Sequence, residues 1–233
     1  MYLNLVQAWA QVDQTAMAIG RASYPSYRAS LQLWSEFYGI GLVPTVEAFV
    51  ALSPNNDYHG NLRSLSSVMF SVAAGISFDR LTVSTYRACA LRAINYLTGK
   101  VSFLDTVNGR KITSFRHNIL YQKYSDKVTV DGHMVAVWLA DTAMTMSQAN
   151  EVMSNKLYTD IEAGVRKLAR ANDMAPCDVQ ACLWVSRKQR QGIKFDDQQD
   201  LFSGKSRWDE VAEPQHYPPF QRKLWGKWRA ERV

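Results

Sequence analysis

Apolar residues recur at helical spacing along most of this 233-residue chain, and that spacing constrains its fold more than any other feature. Leu31, Trp34 and Tyr38, for example, are separated by three and four positions. Such residues share one face of a helix, whereas a half-buried strand alternates every second residue. Only a short stretch, 127–130, has the composition of an extended segment. The sequence therefore predicts an all-α protein.

Glycines, prolines and apolar stripes together suggest where the helices begin and end. The predicted helices cover residues 3–10, 31–38, 44–52, 62–69, 84–97, 101–104, 111–120, 133–144, 157–171 and 178–190. After about residue 191 the chain becomes polar and contains three prolines within six positions, Pro214, Pro218 and Pro219. We therefore expect a helical body over 1–191 and an extended, partly basic tail over 192–233 that packs on it.

Composition narrows the possible partners and compartments. The net charge is +6 and the pI is about 9.2, which permits an anionic partner. Three cysteines without a pattern indicate a reducing compartment, and no apolar run reaches the roughly 18–20 residues of a membrane span. No histidine or cysteine pair has the spacing of a metal site. We expect a cytoplasmic monomer, in a bacterium or a phage-infected host, with no membrane partner, metal or cofactor.

The segment 104–137 contains the residues best suited to chemistry. An Asn108-Gly109 turn and the basic pair Arg110-Lys111 precede an amphipathic helix, and Val-Thr-Val-Asp-Gly-His follows it at 128–133. If the helix folds back on that second motif, Lys111 and Asp131 can line one cleft. An amine and a carboxylate beside a turn rich in backbone N–H groups would suit covalent or acid/base chemistry on a phosphate-linked substrate.

These two motifs resemble those of the helix-hairpin-helix DNA glycosylase superfamily. The hairpin is represented by Leu104, Val107, Gly109, Arg110 and Lys111, and the second motif by Val130, Asp131, Gly132 and His133. The resemblance covers about residues 45–138. Thr106 and Asp105 stand where that superfamily has a glycine and a proline, and the cysteines cannot supply the iron–sulfur loop of some relatives.

The resemblance implies two helical lobes with a central cleft and a helix-hairpin-helix motif that binds double-stranded DNA. The protein would extrude a base and act at its N-glycosidic bond, with Asp131 as the catalytic carboxylate and Lys111 as the nucleophile of a lyase. The implied DNA-binding residues are Asn108, Gly109, Arg110, Asn55, Asn56, Arg116 and His133. We also expect a positive φ at Gly109, since such turns commonly require one.

Other interpretations of the same residues stay open. Asp131 could simply cap a helix, and Lys111 could be solvated or hold a phosphate. The chain could also be an enzyme of phage DNA hypermodification, transferring an amino acid or polyamine to modified thymine, or a non-catalytic DNA-binding module. In the tail, Trp225 and Trp228 could dock on the body, or the interleaved Arg and Lys residues could contact DNA.

Overall fold

The computed structural model describes residues 1–54, 56, 58–106 and 108–193, and these residues contain helices but no strand. The prediction of an all-α protein is therefore confirmed. The helices are α1 (Tyr2–Trp9), α2 (Gln14–Tyr38), α3 (Leu42–Ala51), α4 (Tyr58–Ala73), α5 (Arg87–Leu97), α6 (Arg110–Tyr121), α7 (Gly132–Leu139), α8 (Met146–Val152), α9 (Asn155–Ala171) and α10 (Pro176–Arg190), with short 3₁₀ turns at Phe78–Arg80 and Gln122–Tyr124. The predicted tail lies outside the described residues, except for its first two positions.

The described chain divides into two compact units. Of the described residues, the first unit comprises Met1–Arg28 together with 109–193, and the second contains Ala29–Asn108. The boundary at residue 28 falls inside α2. The first unit is thus built from two separate stretches of sequence, and it contains the predicted catalytic residues Lys111 and Asp131.

In the first unit, α7 packs against α1, α8, α9 and α10. The apolar face of α9 supplies Ile161, Val165 and Leu168, which recur at helical spacing and are buried. A side chain at Gly164 would meet Trp138 of α7, because a Cβ built there lies 2.5 Å from the indole. A glycine at this position therefore allows α7 and α9 to approach closely.

In the second unit, α5 packs against α3, and α4 contacts both. All residues of α3 from Thr45 onward are buried, and α5 buries Cys89, Ala90, Ala93, Tyr96 and Leu97. Small side chains on α5 let the two helices lie close together. The helix ends two residues before Gly99, whose φ of +66° is the left-handed conformation expected of a terminating glycine.

The largest differences from the predicted helices are three. The second helix begins at Gln14 rather than near residue 31, and it continues through Pro25. The stretch 101–104 forms a turn, in which the Ser102 hydroxyl accepts from the Leu104 N–H. The helix predicted over 133–144 ends at Leu139, and α8 follows after a break.

Two local features account for that break. Ala140 adopts a left-handed conformation, with φ of +57°, although it is not a glycine. Thr145 then begins α8 with a capping box, in which its side chain and that of Gln148 satisfy each other's backbone N–H groups. Because the apolar pattern continues across Ala140, periodicity alone did not reveal the end of α7.

Candidate active site

The segment before α7 is held in an extended conformation by side chains rather than by a sheet. The Tyr158 hydroxyl donates to the carbonyl of Val128 at 3.0 Å and accepts from the N–H of Val130 at 3.3 Å. The Thr129 hydroxyl accepts from the Asn118 amide at 3.0 Å, and the Tyr24 hydroxyl lies 3.1 Å away. All these groups are buried. These hydrogen bonds fix the backbone of residues 128–130, which leads directly to Asp131.

Asp131 is the N-cap of α7. Its Oδ1 accepts from the backbone N–H of Met134 at 3.0 Å, and its Oδ2 accepts from Nε1 of Trp184 at 3.1 Å. The alternative that this residue caps a helix is thereby confirmed. Since a carboxylate offers about four lone-pair positions, each oxygen keeps accepting capacity beyond these bonds. The residue is partly exposed, so a ligand can approach it.

His133 lies beside Asp131, and its imidazole packs edge-on against Trp184 with the ring centroids 5.9 Å apart. Burial lowers the pKa of His133, the Asp131 carboxylate opposes that shift, and the charges of Lys188, Arg187 and Lys111 lower the pKa further. The imidazole is therefore neutral at pH 7. The charges of Lys111 and Asp131, which are twenty positions apart in sequence, both shift the pKa of this ring, in opposite directions.

Helix α10 supplies three side chains to this site that the sequence analysis did not identify. Trp184 donates to Asp131, and the ammonium nitrogen of Lys188 lies 4.7 Å from the centre of the Trp184 ring. Arg187 is only 4% exposed and donates to the carbonyls of Asp141 and Met144. We call Lys111, Asp131, His133, Trp184, Arg187 and Lys188 the candidate site. It combines one carboxylate and one neutral imidazole with three cations.

The start of α6 differs from the predicted turn. Gly109 is the N-cap and has φ of −62° and ψ of 152°, so the prediction of a positive φ there is wrong. A Cβ at this position would meet no atom within 4 Å. The chain enters α6 in an ordinary extended conformation, which any residue can adopt. No side chain caps the helix at Gly109.

Arg110 is held against α9 at several points. Its guanidinium donates to Glu162 Oε2 at 2.7 Å and to Thr159 Oγ1 at 2.9 Å, and it lies 4.1 Å from the centre of the Tyr158 ring. The guanidinium of Arg110 is therefore fixed on α9, and Glu162 compensates its charge.

The remaining predicted DNA-binding residues lie in several places. In the second unit, the Asn108 amide donates to the Thr106 hydroxyl at 2.8 Å and to the Phe103 carbonyl at 3.0 Å, which shapes its own loop. In the same unit, the Asn56 amide lies 3.3 Å from the carbonyl of Leu52. Asn55 lies outside the described residues. Arg116 is on α6, where its charge contributes to lowering the pKa of His117.

Comparison with known proteins gives one match. Residues 1–191 match a family described as a family of unknown function, DUF7178. The chain belongs to this family. No curated protein matches the chain, and no solved structure does. Membership of DUF7178 therefore brings no activity with it, and an argument about function has to start from the candidate site.

Two further properties concern the whole described part of this DUF7178 member. None of its helices combines the length and apolar character needed to cross a bilayer. Within the same residues, His, Cys, Asp and Glu side chains do not gather in groups of three that could hold a metal ion. The three cysteines are free and buried, and burial raises the pKa of Cys177 and of Cys182 to about 12. Neither of these two thiols is prepared to act as a nucleophile at neutral pH.

Proposed function

We propose that this protein is a DNA glycosylase-like enzyme that extrudes a base from duplex DNA and acts at its N-glycosidic bond. One observation supports the proposal: Lys111 and Asp131 belong to the same compact unit, and the charges of both shift the pKa of His133, in opposite directions. In sequence these residues occupy the positions that resemble the nucleophile and the catalytic carboxylate of helix-hairpin-helix glycosylases.

In this mechanism Asp131 stabilises the cationic sugar that forms as the glycosidic bond breaks. Its two hydrogen bonds, from Met134 and Trp184, hold the carboxylate in place before the substrate arrives. Less reorganisation is then needed as charge develops. His133, neutral at pH 7, is available to accept a proton from the attacking group.

Lys111 is the proposed nucleophile of a lyase step. Its neutral amine would attack the anomeric carbon, and the base would leave with the bonding electrons. Loss of a proton from nitrogen and opening of the sugar ring would give a Schiff base, from which the 3′-phosphate can be eliminated.

DNA would bind through charge and backbone N–H groups. The first turn of α6 has no side-chain cap and carries Lys111, whereas the charge of Arg110 is paired with Glu162. An anion is stabilised at such a helix start, which is how the hairpin would hold a phosphate. We further propose that the protein acts as a monomer in the cytoplasm of a bacterium or an infected host, and that it needs no cofactor.

A second candidate is a non-catalytic DNA-binding module. The observation that favours it is the cap itself, because the bond from Met134 to Asp131 gives the carboxylate a sufficient structural reason to be there. The two functions make different demands on Asp131. A catalytic carboxylate needs its charge, whereas a cap works nearly as well with an asparagine.

The deciding experiment incubates the protein with a panel of duplexes that contain modified or damaged bases, and analyses both the released bases and the DNA by mass spectrometry. We expect release of a free base by wild type, no release by Asp131→Asn, and similar DNA affinity for both. The control is Asp160→Asn, which neutralises an exposed carboxylate of the same unit paired with Lys156.

Each outcome distinguishes the candidates. Equal base release by wild type and Asp131→Asn would refute the catalytic assignment. DNA binding without any change in base or DNA would favour the non-catalytic module. A gain in DNA mass without a free base, seen only when an amino acid or polyamine is supplied, would favour a DNA-modifying enzyme in place of a glycosylase.

A further inference from the structure

The end of α6 opposite Lys111 carries exposed aromatic residues. Tyr124 is 82% exposed and Tyr121 is 49% exposed, and both belong to the first unit. Isolated exposed tyrosines are common, but here two of them lie within four residues of each other. At this end the chain turns from α6 into the 3₁₀ turn Gln122–Tyr124. These side chains are not needed for the core.

Each of these rings is paired with a nitrogen-bearing side chain. The ammonium nitrogen of Lys123 lies 5.2 Å from the centre of the Tyr124 ring, and the His117 ring lies 4.4 Å from that of Tyr121. Lys127 lies three residues after Tyr124, and its ammonium nitrogen is 3.5 Å from a carboxylate oxygen of the exposed Asp126. We call His117, Tyr121, Lys123, Tyr124 and Lys127 the aromatic–basic patch.

Gln122 joins α6 to the turn that carries Lys123 and Tyr124. Gln122 has φ of +49° and ψ of −125°, a conformation that residues with a side chain rarely adopt. Its carbonyl accepts from the N–H of Ser125 at 2.8 Å and lies 3.3 Å from Cys177 Sγ, so the turn is fixed on both sides. Such strain persists only where surrounding contacts enforce it, and it concentrates at functional positions. Here it ends α6 and is followed at once by Lys123 and Tyr124.

We infer that the aromatic–basic patch binds unpaired nucleotides, with Tyr124 stacking on a base and Lys123 contacting the neighbouring phosphate. Aromatic rings accept the face of any base, and cations follow the backbone, so this combination suits single strands and is indifferent to sequence. Paired bases do not offer their faces, so the patch should discriminate against duplex. The inference rests on the proposed function in taking DNA as the partner, and it adds a second point of contact.

The distance from the candidate site follows from the helix. Lys111 and Tyr121 are ten positions apart on α6, which corresponds to about 15 Å of helix rise. The patch is therefore a contact separate from the start of α6, where the proposed function places a phosphate of the duplex.

The test measures binding of the full chain to a labelled oligothymidylate and to a labelled blunt-ended hairpin duplex by fluorescence anisotropy. Tyr124→Leu keeps an apolar side chain but removes the ring. We expect this variant to bind the oligothymidylate about tenfold more weakly, since stacking is worth about 1–3 kcal/mol per base. Tyr124→Phe should bind like wild type, and duplex affinity should be the same for all three proteins.

A matched pair of lysines separates the patch from general charge. Lys167 on α9 lies 4.3 Å from the ring centre of Tyr2, so Lys167→Ala and Lys123→Ala each remove one cation from beside a tyrosine. Lys123→Ala should weaken oligothymidylate binding more than Lys167→Ala does. Equal effects of the two lysine variants, no effect of Tyr124→Leu, or no oligothymidylate binding by wild type would each overturn the inference. Base release from duplexes by wild type, which tests the proposed function, is unaffected by these outcomes.

Discussion

The hydrogen bond between Trp184 and Asp131 allows a quantitative test of the candidate site. Asparagine has one oxygen and one NH₂ group, so Asp131→Asn can accept from only one of the two donors, Met134 and Trp184. The donor that loses its acceptor then faces the NH₂ group of the asparagine, which is itself a donor. Because asparagine caps helices as well as aspartate, we expect the bond to Met134 to be kept and the bond to Trp184 to be lost.

The expected cost follows from the chemistry of the lost bond. Hydrogen bonds to charged groups contribute about 1.5–3 kcal/mol, and the lower end applies here because Asp131 is partly exposed. Asp131→Asn should therefore lower the free energy of unfolding by about 1.5 kcal/mol. For a chain of this size that corresponds to a fall in Tm of about 3–6 °C. Trp184→Phe removes the same hydrogen bond, but this loss should lower the free energy of unfolding by less, because water can solvate the freed carboxylate oxygen.

A double-mutant cycle isolates the pair. Asp131→Asn, Trp184→Phe and the double variant are unfolded in urea, and the coupling energy is expected to be about 1 kcal/mol, because Trp184→Phe removes the donor that Asp131→Asn leaves unsatisfied. The control, Asp160→Asn, breaks an exposed ion pair with Lys156 and should cost less than about 0.5 kcal/mol. A coupling energy of zero, or equal costs for the two aspartate variants, would show that Trp184 does not hold the carboxylate.

Four further variants test other features of the first unit. Borohydride should trap wild type on DNA that it processes and should not trap Lys111→Ala; trapping of both would assign the nucleophile elsewhere. Burial lowers the pKa of His133 in the folded state, so the unfolded chain takes up the proton first and stability falls as the pH drops below about 6.5. In urea titrations from neutral to acidic pH, His133→Gln should lose less free energy of unfolding on acidification than wild type does. The loss due to His117, whose pKa is also lowered, should remain. An unchanged pH profile would contradict the assigned burial of His133. Gly109→Ser should leave Tm the same or slightly higher, because serine is a better N-cap at an extended φ of −62°, whereas a marked fall would indicate a left-handed glycine. Gly164→Ala should lower Tm strongly, because the new Cβ would lie 2.5 Å from the neighbouring indole, and a small change would mean that the helices can separate at little cost.

The fold class was predictable because burial imposes helical spacing on apolar residues wherever a helix has one inner face. Helix ends were predictable where a residue has a special conformation, as at Gly99, or lacks an N–H, as at Pro176 in the first turn of α10. The end of α7 was not predictable, because Ala140 adopts a left-handed conformation, which alanine does not favour. There the tertiary contacts override local preference.

Only those residues of the candidate site that belong to the two sequence motifs were predictable. Asp131 was expected as a cap because an extended stretch ends there and a helix starts, and as a catalytic carboxylate because of the resemblance to the glycosylase motif. The partners from α10 were not expected, since the sequence of a helix gives its apolar face but not which neighbour that face will contact. Trp184 and Lys188 do lie four residues apart, on one side of α10, which is the pattern of an aromatic ring covered by a cation.

The division of the first unit into two separate stretches of sequence has a consequence during synthesis. Its N-terminal stretch, Met1–Arg28, leaves the ribosome well before α10, which it contacts through Tyr24 and Gln180 at a sequence separation of 156 residues. The helices of Ala29–Asn108 are complete in the meantime and can pack among themselves. The site around Asp131 would thus be the last part of the described protein to form, and a chain that stops before α10 would lack Trp184, Arg187 and Lys188 altogether. Ribosome-bound chains of increasing length would show this order as late protection of the first unit from protease.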